Sequence, residues 1–236
     1  MATLLIDADD TLWESNIYYQ LCSARLEEWL VGLGVERSEV APAIAVFEQQ
    51  VLATFGYSPH GYIEALALTA SHLAERHGIP VGEDLIAQAR AWGQPMLNPP
   101  IVLLPEVRET LALLSARHRL LLVTKGDQVL QRRKLERSGV QEYFARVVVL
   151  EEKDSAAYQR IVASEQLDPN DTFMVGNSPK SDINPAVAAG LRAVYIPHDH
   201  TWTAECEELV HSPRVETLER FSQLPAYLEA NRGNTF

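Results

Sequence analysis

The stretch Leu4-Leu5-Ile6-Asp7-Ala8-Asp9-Asp10-Thr11-Leu12 decides how the rest of the chain is read. Leu4, Leu5 and Ile6 form a short apolar run of the kind that makes a buried strand. Asp7 and Asp9 stand two residues apart, so an extended backbone sends both side chains to the same side. Neighbouring acids repel, and ionising both is costly unless a cation or a proton lies between them. The arrangement is unfavourable for folding and useful for chemistry. It predicts a Mg2+ site at which one carboxylate attacks an electrophile and the other moves a proton.

Outward from this stretch, two kinds of segment alternate. Short, β-branched apolar runs fall at 4–6, 120–123, 147–150, 173–175 and 193–196. Helical patterns fall at 107–117, 129–138, 155–164 and 184–189, with Gly139 and Gly190 as stops. The alternation predicts an α/β fold with a parallel sheet covered by helices on both faces. Residues 15–93 break the pattern. They hold no convincing strand, but helical periodicity at 17–33, 39–55, 62–76 and 84–92, interrupted at Gly34, at 56–59 and at Gly78-Ile79-Pro80. The predicted organisation is a core domain of residues 1–14 and 94–236, with an α-helical domain of residues 15–93 inserted after the first strand.

In parallel α/β sheets, ligands bind at the carboxyl ends of the strands. Four consecutive strand ends carry polar residues able to share one pocket. They are Asp7, Asp9 and Asp10-Thr11; Thr124-Lys125-Gly126-Asp127; Glu151, Glu152, Lys153 and Asp154; and the run from Gly176 and Asn177 through Ser178, Lys180 and Ser181 to Asp182. Any one of these is weak alone, but their order and placement are hard to explain as surface decoration.

In this order and placement the motifs resemble those of the haloacid dehalogenase superfamily of hydrolases, over residues 3 to about 197. The resemblance implies a Rossmann-like core, a helical cap that closes over the pocket, and phosphoryl transfer. It implies Asp7 as the nucleophile that forms an aspartyl-phosphate, and Asp9 as general acid and base. Lys153 would neutralise the carboxylates and the developing charge, with Lys125 and Lys180 as rivals for that task. Thr124, with the amides around Lys125 and Gly126, would cradle the phosphate. Asp7, the backbone carbonyl of Asp9 and Asp182 would bind Mg2+, joined by Asn177. Asn177 departs from the commonest pattern, which has an acid directly after the glycine; it keeps an oxygen and removes a charge. Ser178 is expected to orient its neighbours, and Asp10 and Thr11 to fix the loop.

The expected activity is therefore Mg2+-dependent hydrolysis of a small phosphorylated metabolite. Three alternatives share the fold. A 2-haloacid dehalogenase needs no second acid, and Asp9 would repel a substrate carboxylate. A phosphomutase uses the same pair of acids. A non-catalytic binding protein would have no reason to keep every reactive position filled.

Composition narrows the partners. The chain has 236 residues, a formal charge of −12, 47% hydrophobic residues and 22% charged residues, as expected of a soluble globular protein. No basic cluster suits a nucleic-acid backbone, and the run Gln131-Arg132-Arg133-Lys134 reads as the solvated face of a helix. Cys22 and Cys206 form no disulfide framework. The N-terminus enters a strand without a signal-peptide pattern, and no apolar run approaches the roughly 20 residues that span a bilayer. The cytosol is the expected compartment, with no membrane partner. His198, Asp199 and His200 read as a solvated loop, and Trp13 and Trp29 as packing residues between or within domains.

Overall fold

The computed structural model describes residues 1–231. The chain divides into two compact units: residues 1–16 with the chain from Ile101 onward, and residues 17–100.

The first unit is built on six parallel strands: β1 (Thr3–Ile6), β2 (Arg119–Lys125), β3 (Arg146–Leu150), β4 (Thr172–Gly176), β5 (Arg192–Tyr195) and β6 (Val215–Thr217). Their order in the sheet is β3-β2-β1-β4-β5-β6. Leu4 pairs with Leu120 on one side and Phe173 on the other. Alternation then sorts the side chains into two layers. Leu4, Ile6, Leu120, Leu122, Phe173 and Val175 pack with Leu111 of α5 (Val107–Ser115), Leu135 of α6 (Gln128–Ser138) and Leu228 of α9 (Leu224–Ala230). Leu5, Leu121, Val123 and Met174 pack with Tyr158 and Ile161 of α7 (Ser155–Glu165) and Ala186 of α8 (Asn184–Ala188). Burial on both faces explains why these strands read as continuous apolar runs, and each fully buried leucine contributes about 2 kcal/mol. The architecture is the α/β, Rossmann-type sheet that the alternation predicts. β6 and α9 are additional to the elements expected, and three strand residues are too few to show a period.

The strand order places the site. The chain builds outward from β1 to β3, then crosses back to lay β4 on the other side of β1. The sense of winding reverses between β1 and β4, which is where strand ends diverge and leave a crevice.

The second unit is helical: α1 (Asn16–Gly32), α2 (Arg37–Phe55), α3 (Pro59–Arg76) and α4 (Glu83–Gly93), followed by the short turn Gln94–Leu97. Its core joins Leu26 and Leu30 of α1, Val40 and Ile44 of α2, Leu66, Ala70 and Leu73 of α3, and Leu85 and Ala89 of α4. The α3 helix buries the most residues because its alanines let neighbours approach closely, and Ser58 caps its start by accepting from Gly61 N–H. Among the described residues, no helix is long and apolar enough to cross a membrane.

Candidate active site

The tips of β1 and β4 meet at a lysine. Lys153, in the segment between β3 and α7, is buried, and its ammonium lies between two buried carboxylates. It donates to Asp7 Oδ1 in a short contact and to Asp182 Oδ1 at 2.7 Å. Asp7 follows β1 directly and is tied to β4 by its N–H, which donates to Val175 O at 2.9 Å. Asp182 lies in the wide turn Pro179–Ile183 after β4. The Ser178 N–H donates to Asp182 Oδ2 at 3.0 Å, and Tyr158 Oη holds the turn by donating to Ser181 O at 2.8 Å. Gly176, the last residue of β4, has no side chain for a reason. A Cβ there would lie 2.5 Å from Asp182 Cγ and 2.8 Å from its Cβ, far inside contact distance.

Burial dominates the electrostatics. It lifts the Asp7 carboxyl from an ordinary 3.8 to about 7, against Lys153 and with help from Asp182 and Asp9. For Lys153, burial opposes the charged form, but Asp182 and Asp7 outweigh it and hold the ammonium well above its usual range.

Thr11 and Asn177 complete this corner. The Thr11 hydroxyl lies 3.1 Å from Asp7 Oδ2 and 3.1 Å from Asn177 Oδ1. A hydroxyl has a single proton to donate, so it serves one of these two oxygens at a time. Asn177 is itself oriented by donating from Nδ2 to Thr201 Oγ1 at 2.9 Å. Two carboxylates and an amide oxygen, with fewer protons than acceptors, are a donor set suited to a hard cation such as Mg2+.

Asp9 is held apart from Asp7 by a cradle that the sequence did not reveal. Its Oδ1 accepts from Trp13 Nε1 at 2.7 Å and Lys134 Nζ at 2.9 Å. Its Oδ2 accepts from Gln131 Nε2 at 2.9 Å and Lys134 Nζ at 2.8 Å. Burial works to raise this carboxyl, but Lys134, Gln131 and Trp13 together hold it below 3.8. The reading of residues 131–134 as a solvated face is thus corrected. Arg132 and Arg133 are exposed, whereas Gln131 and Lys134 are buried on the inner side of α6. The signal was present in the spacing, because Gln131, Lys134, Leu135 and Ser138 repeat at helical intervals along the face that carries buried Leu135. Trp13 does more than pack, since its indole N–H is the shortest contact to Asp9.

The residues after β2 divide. Thr124 is buried at the strand end. Lys125 sends its ammonium to Glu205 Oε1 at 2.6 Å, Ser181 Oγ at 2.9 Å and Glu152 Oε1 at 3.3 Å. The Gly126 N–H donates to Leu150 O at 3.1 Å, in a backbone with φ +120° that favours glycine. Asp127 caps α6 by accepting from Leu130 N–H at 2.8 Å.

Asp10 takes the structural part its lack of chemistry predicts. It adopts a left-handed backbone with φ 59°, and its carboxylate accepts from the N–H groups of Ser15 at 2.8 Å and Asn16 at 3.1 Å. With Glu14 and His198 it forms a second cluster whose ligand atoms lie within 4.8 Å of one another. Burial and Asp9 push Asp10 up to about 7, and burial pushes His198 down. The His198 side chain is only 14% exposed, with Nε2 3.4 Å from Glu14 Oε2, and is not the solvated residue expected. An imidazole and a carboxylate already committed to backbone amides suit Mg2+ less well than the oxygens around Asp7.

The chain is similar to known proteins of one family. The family model for haloacid dehalogenase-like hydrolases matches residues 1–190. N-acylneuraminate-9-phosphatase from Homo sapiens is 36% identical over 98 residues, covering 39% of this chain and 40% of that protein. Phosphoserine phosphatase from Thermus thermophilus is 33% identical over 102 residues, 40% of each chain. The matched stretch spans about 40% of the length of these curated relatives. A crystal structure of a haloacid dehalogenase-like family hydrolase from Xanthomonas campestris is 28% identical, with a TM-score of 0.83 over 98% of this chain and 91% of that one. With its motifs at the strand ends of such a sheet, the chain belongs to the haloacid dehalogenase-like hydrolases.

Proposed function

We propose that this protein is a Mg2+-dependent phosphatase of small phosphomonoesters, with Asp7 as the nucleophile and Asp9 as general acid and base. The observation that carries the reading is the Lys153 bridge, which brings the tips of β1 and β4 to one point with Asp7 and Asp182 on either side. The names of the curated relatives, both phosphatases, support the choice of phosphorus over carbon as the electrophile.

In this reading a carboxylate oxygen of Asp7 attacks phosphorus in line with the leaving alkoxide. The P–O bond to the alcohol breaks, and an aspartyl-phosphate forms. Asp9 gives its proton to the leaving oxygen. It then takes one from the water that attacks the aspartyl-phosphate, which releases phosphate and restores Asp7. In its cradle Asp9 accepts four hydrogen bonds and is ionised, so it suits the second half of the cycle. To act as an acid it must leave Lys134. Lys153 and the Thr124 hydroxyl balance the non-bridging oxygens. Asp7, the backbone carbonyl of Asp9, Asp182 and Asn177 hold Mg2+, which when bound supplies the positive charge that lets these acids and a phosphate dianion share one site.

The test is phosphate release from a panel of phosphorylated sugars, nucleosides and acids, with Mg2+ or EDTA, and with Asp7→Asn as the blank. The expected result is release that requires the metal and that the substitution abolishes. Turnover persisting in Asp7→Asn would refute the mechanism.

A further inference from the structure

The loop that carries Asn177 and Asp182 is held from behind by a carboxylate that no motif marks. Glu205 ends the short turn Thr203–Glu205 that follows β5, and it is 8% exposed. Its Oε1 accepts from Lys125 Nζ at 2.6 Å, and its Oε2 accepts from Ser178 Oγ at 2.7 Å. Lys125 reaches on to Ser181 Oγ at 2.9 Å, and Ser178 Oγ accepts from Ser181 N–H at 2.9 Å. Lys180 adds a second tie, donating to Ala204 O at 2.9 Å.

These bonds end at the candidate cation site. Ser178 follows Asn177 directly, and its N–H is the donor to Asp182 Oδ2. Its carbonyl accepts from Asp182 N–H at 2.9 Å. A side chain that fixes Ser178 and Ser181 therefore fixes the direction of the Asp182 carboxylate. Hydrogen-bonded residues behind the ligands commonly set metal affinity in this way.

We propose that Lys125 and Glu205 form a positioning pair for the candidate cation site, acting on Asp182 through Ser178 and Ser181, and that the Lys125 ammonium does not bind the phosphoryl group. The proposal rests on the reading of Asp182 as a metal ligand. It removes the Lys125 ammonium as a rival of Lys153 for the phosphoryl charge, because that ammonium is directed to Glu205 and Ser181. Removing Lys125 leaves Glu205 buried without a counter-charge, and removing Glu205 leaves Lys125 with only the more exposed Glu152 at 3.3 Å.

The experiment measures Mn2+ binding to the intact protein by calorimetry and by electron paramagnetic resonance, without substrate. The variants are Asp182→Asn, Glu205→Gln, Lys125→Met, the double variant Lys125→Met/Glu205→Met, and the milder Ser181→Ala. Asp182→Asn should abolish binding. Glu205→Gln and Lys125→Met should each weaken it about tenfold, the double variant by less than the product of the two, and Ser181→Ala by about threefold. Lys125→Arg should restore most of the affinity. At saturating Mn2+, calorimetric binding of inorganic phosphate should be unchanged in Lys125→Met. Native affinity in Glu205→Gln, Lys125→Met and Ser181→Ala, with binding lost in Asp182→Asn, would overturn the brace and leave the metal reading intact. Native affinity in Asp182→Asn would remove both. Intact metal binding in Lys125→Met with weakened phosphate binding would make the Lys125 ammonium a phosphate ligand and refute the proposal.

Discussion

Lys153 and Lys125 leave the same edge of the same sheet, one after β3 and one at the end of β2, yet their ammonium groups face different carboxylates. Lys153 is enclosed by Asp7 and Asp182, the acids at the two strands that flank the switch point. Lys125 turns to Glu205 and Ser181. Lys134, from α6, is taken by Asp9. A lysine at a strand end is thus assigned by the buried acid within its reach, because a buried carboxylate without a counter-charge is costly. Position after a strand narrows the candidates but does not choose among them.

Removing each ammonium in turn breaks the comparison at its strongest point first. Lys153→Met should lower kcat/KM for any accepted phosphomonoester by about 100–1,000-fold, the usual cost of a lost charge stabiliser. It should also destabilise the fold by about 3 kcal/mol in urea denaturation, since Asp7 and Asp182 lose their shared counter-charge. Lys134→Met should cost less, about 10–100-fold in kcat with KM little changed, because a misplaced acid and base slows chemistry more than binding. Steady-state kinetics on one substrate would show the order, and equal losses in the two variants would erase the distinction.

The smallest effect is one of pH. Burial opposes the Glu205 carboxylate, but Lys125, with Ser181 and Ser178, holds its pKa below the ordinary 4.5. A lowered folded-state pKa adds stability above 4.5 and loses it as pH falls through the folded value. The deficit of Glu205→Gln should therefore be full above about pH 5, at about 2 kcal/mol for a charged hydrogen-bonded group, and should shrink as pH falls below 4.5. Urea midpoints measured between pH 3 and 7 would show this. A deficit constant over that range would mean that the pair contributes through packing alone.

Much of the core unit was legible because its strands are buried on both faces and announce themselves as apolar runs. Asp7, Lys153, Asn177 and Asp182 each follow such a run, so connectivity puts them at one end of the sheet, and the family resemblance chose them from among their polar neighbours. The α3 helix was legible for the opposite reason, since its period of buried residues is long and regular. The cradle of Asp9 was hidden by two exposed arginines, which made a half-buried face look wholly solvated. Glu205 gave no signal, because a three-residue turn has no period and a lone acid in it looks like surface. Trp13 was legible as buried but not as a donor, since the sequence does not show where an indole N–H points.

The missing side chain at Gly176 has a consequence for how the enzyme meets changing charge. The space behind Asp182 does not admit even one methyl group. A carboxylate backed so closely cannot withdraw toward β4. In the proposed cycle Asp182 would then serve as the fixed reference, and adjustment would fall to the groups around it.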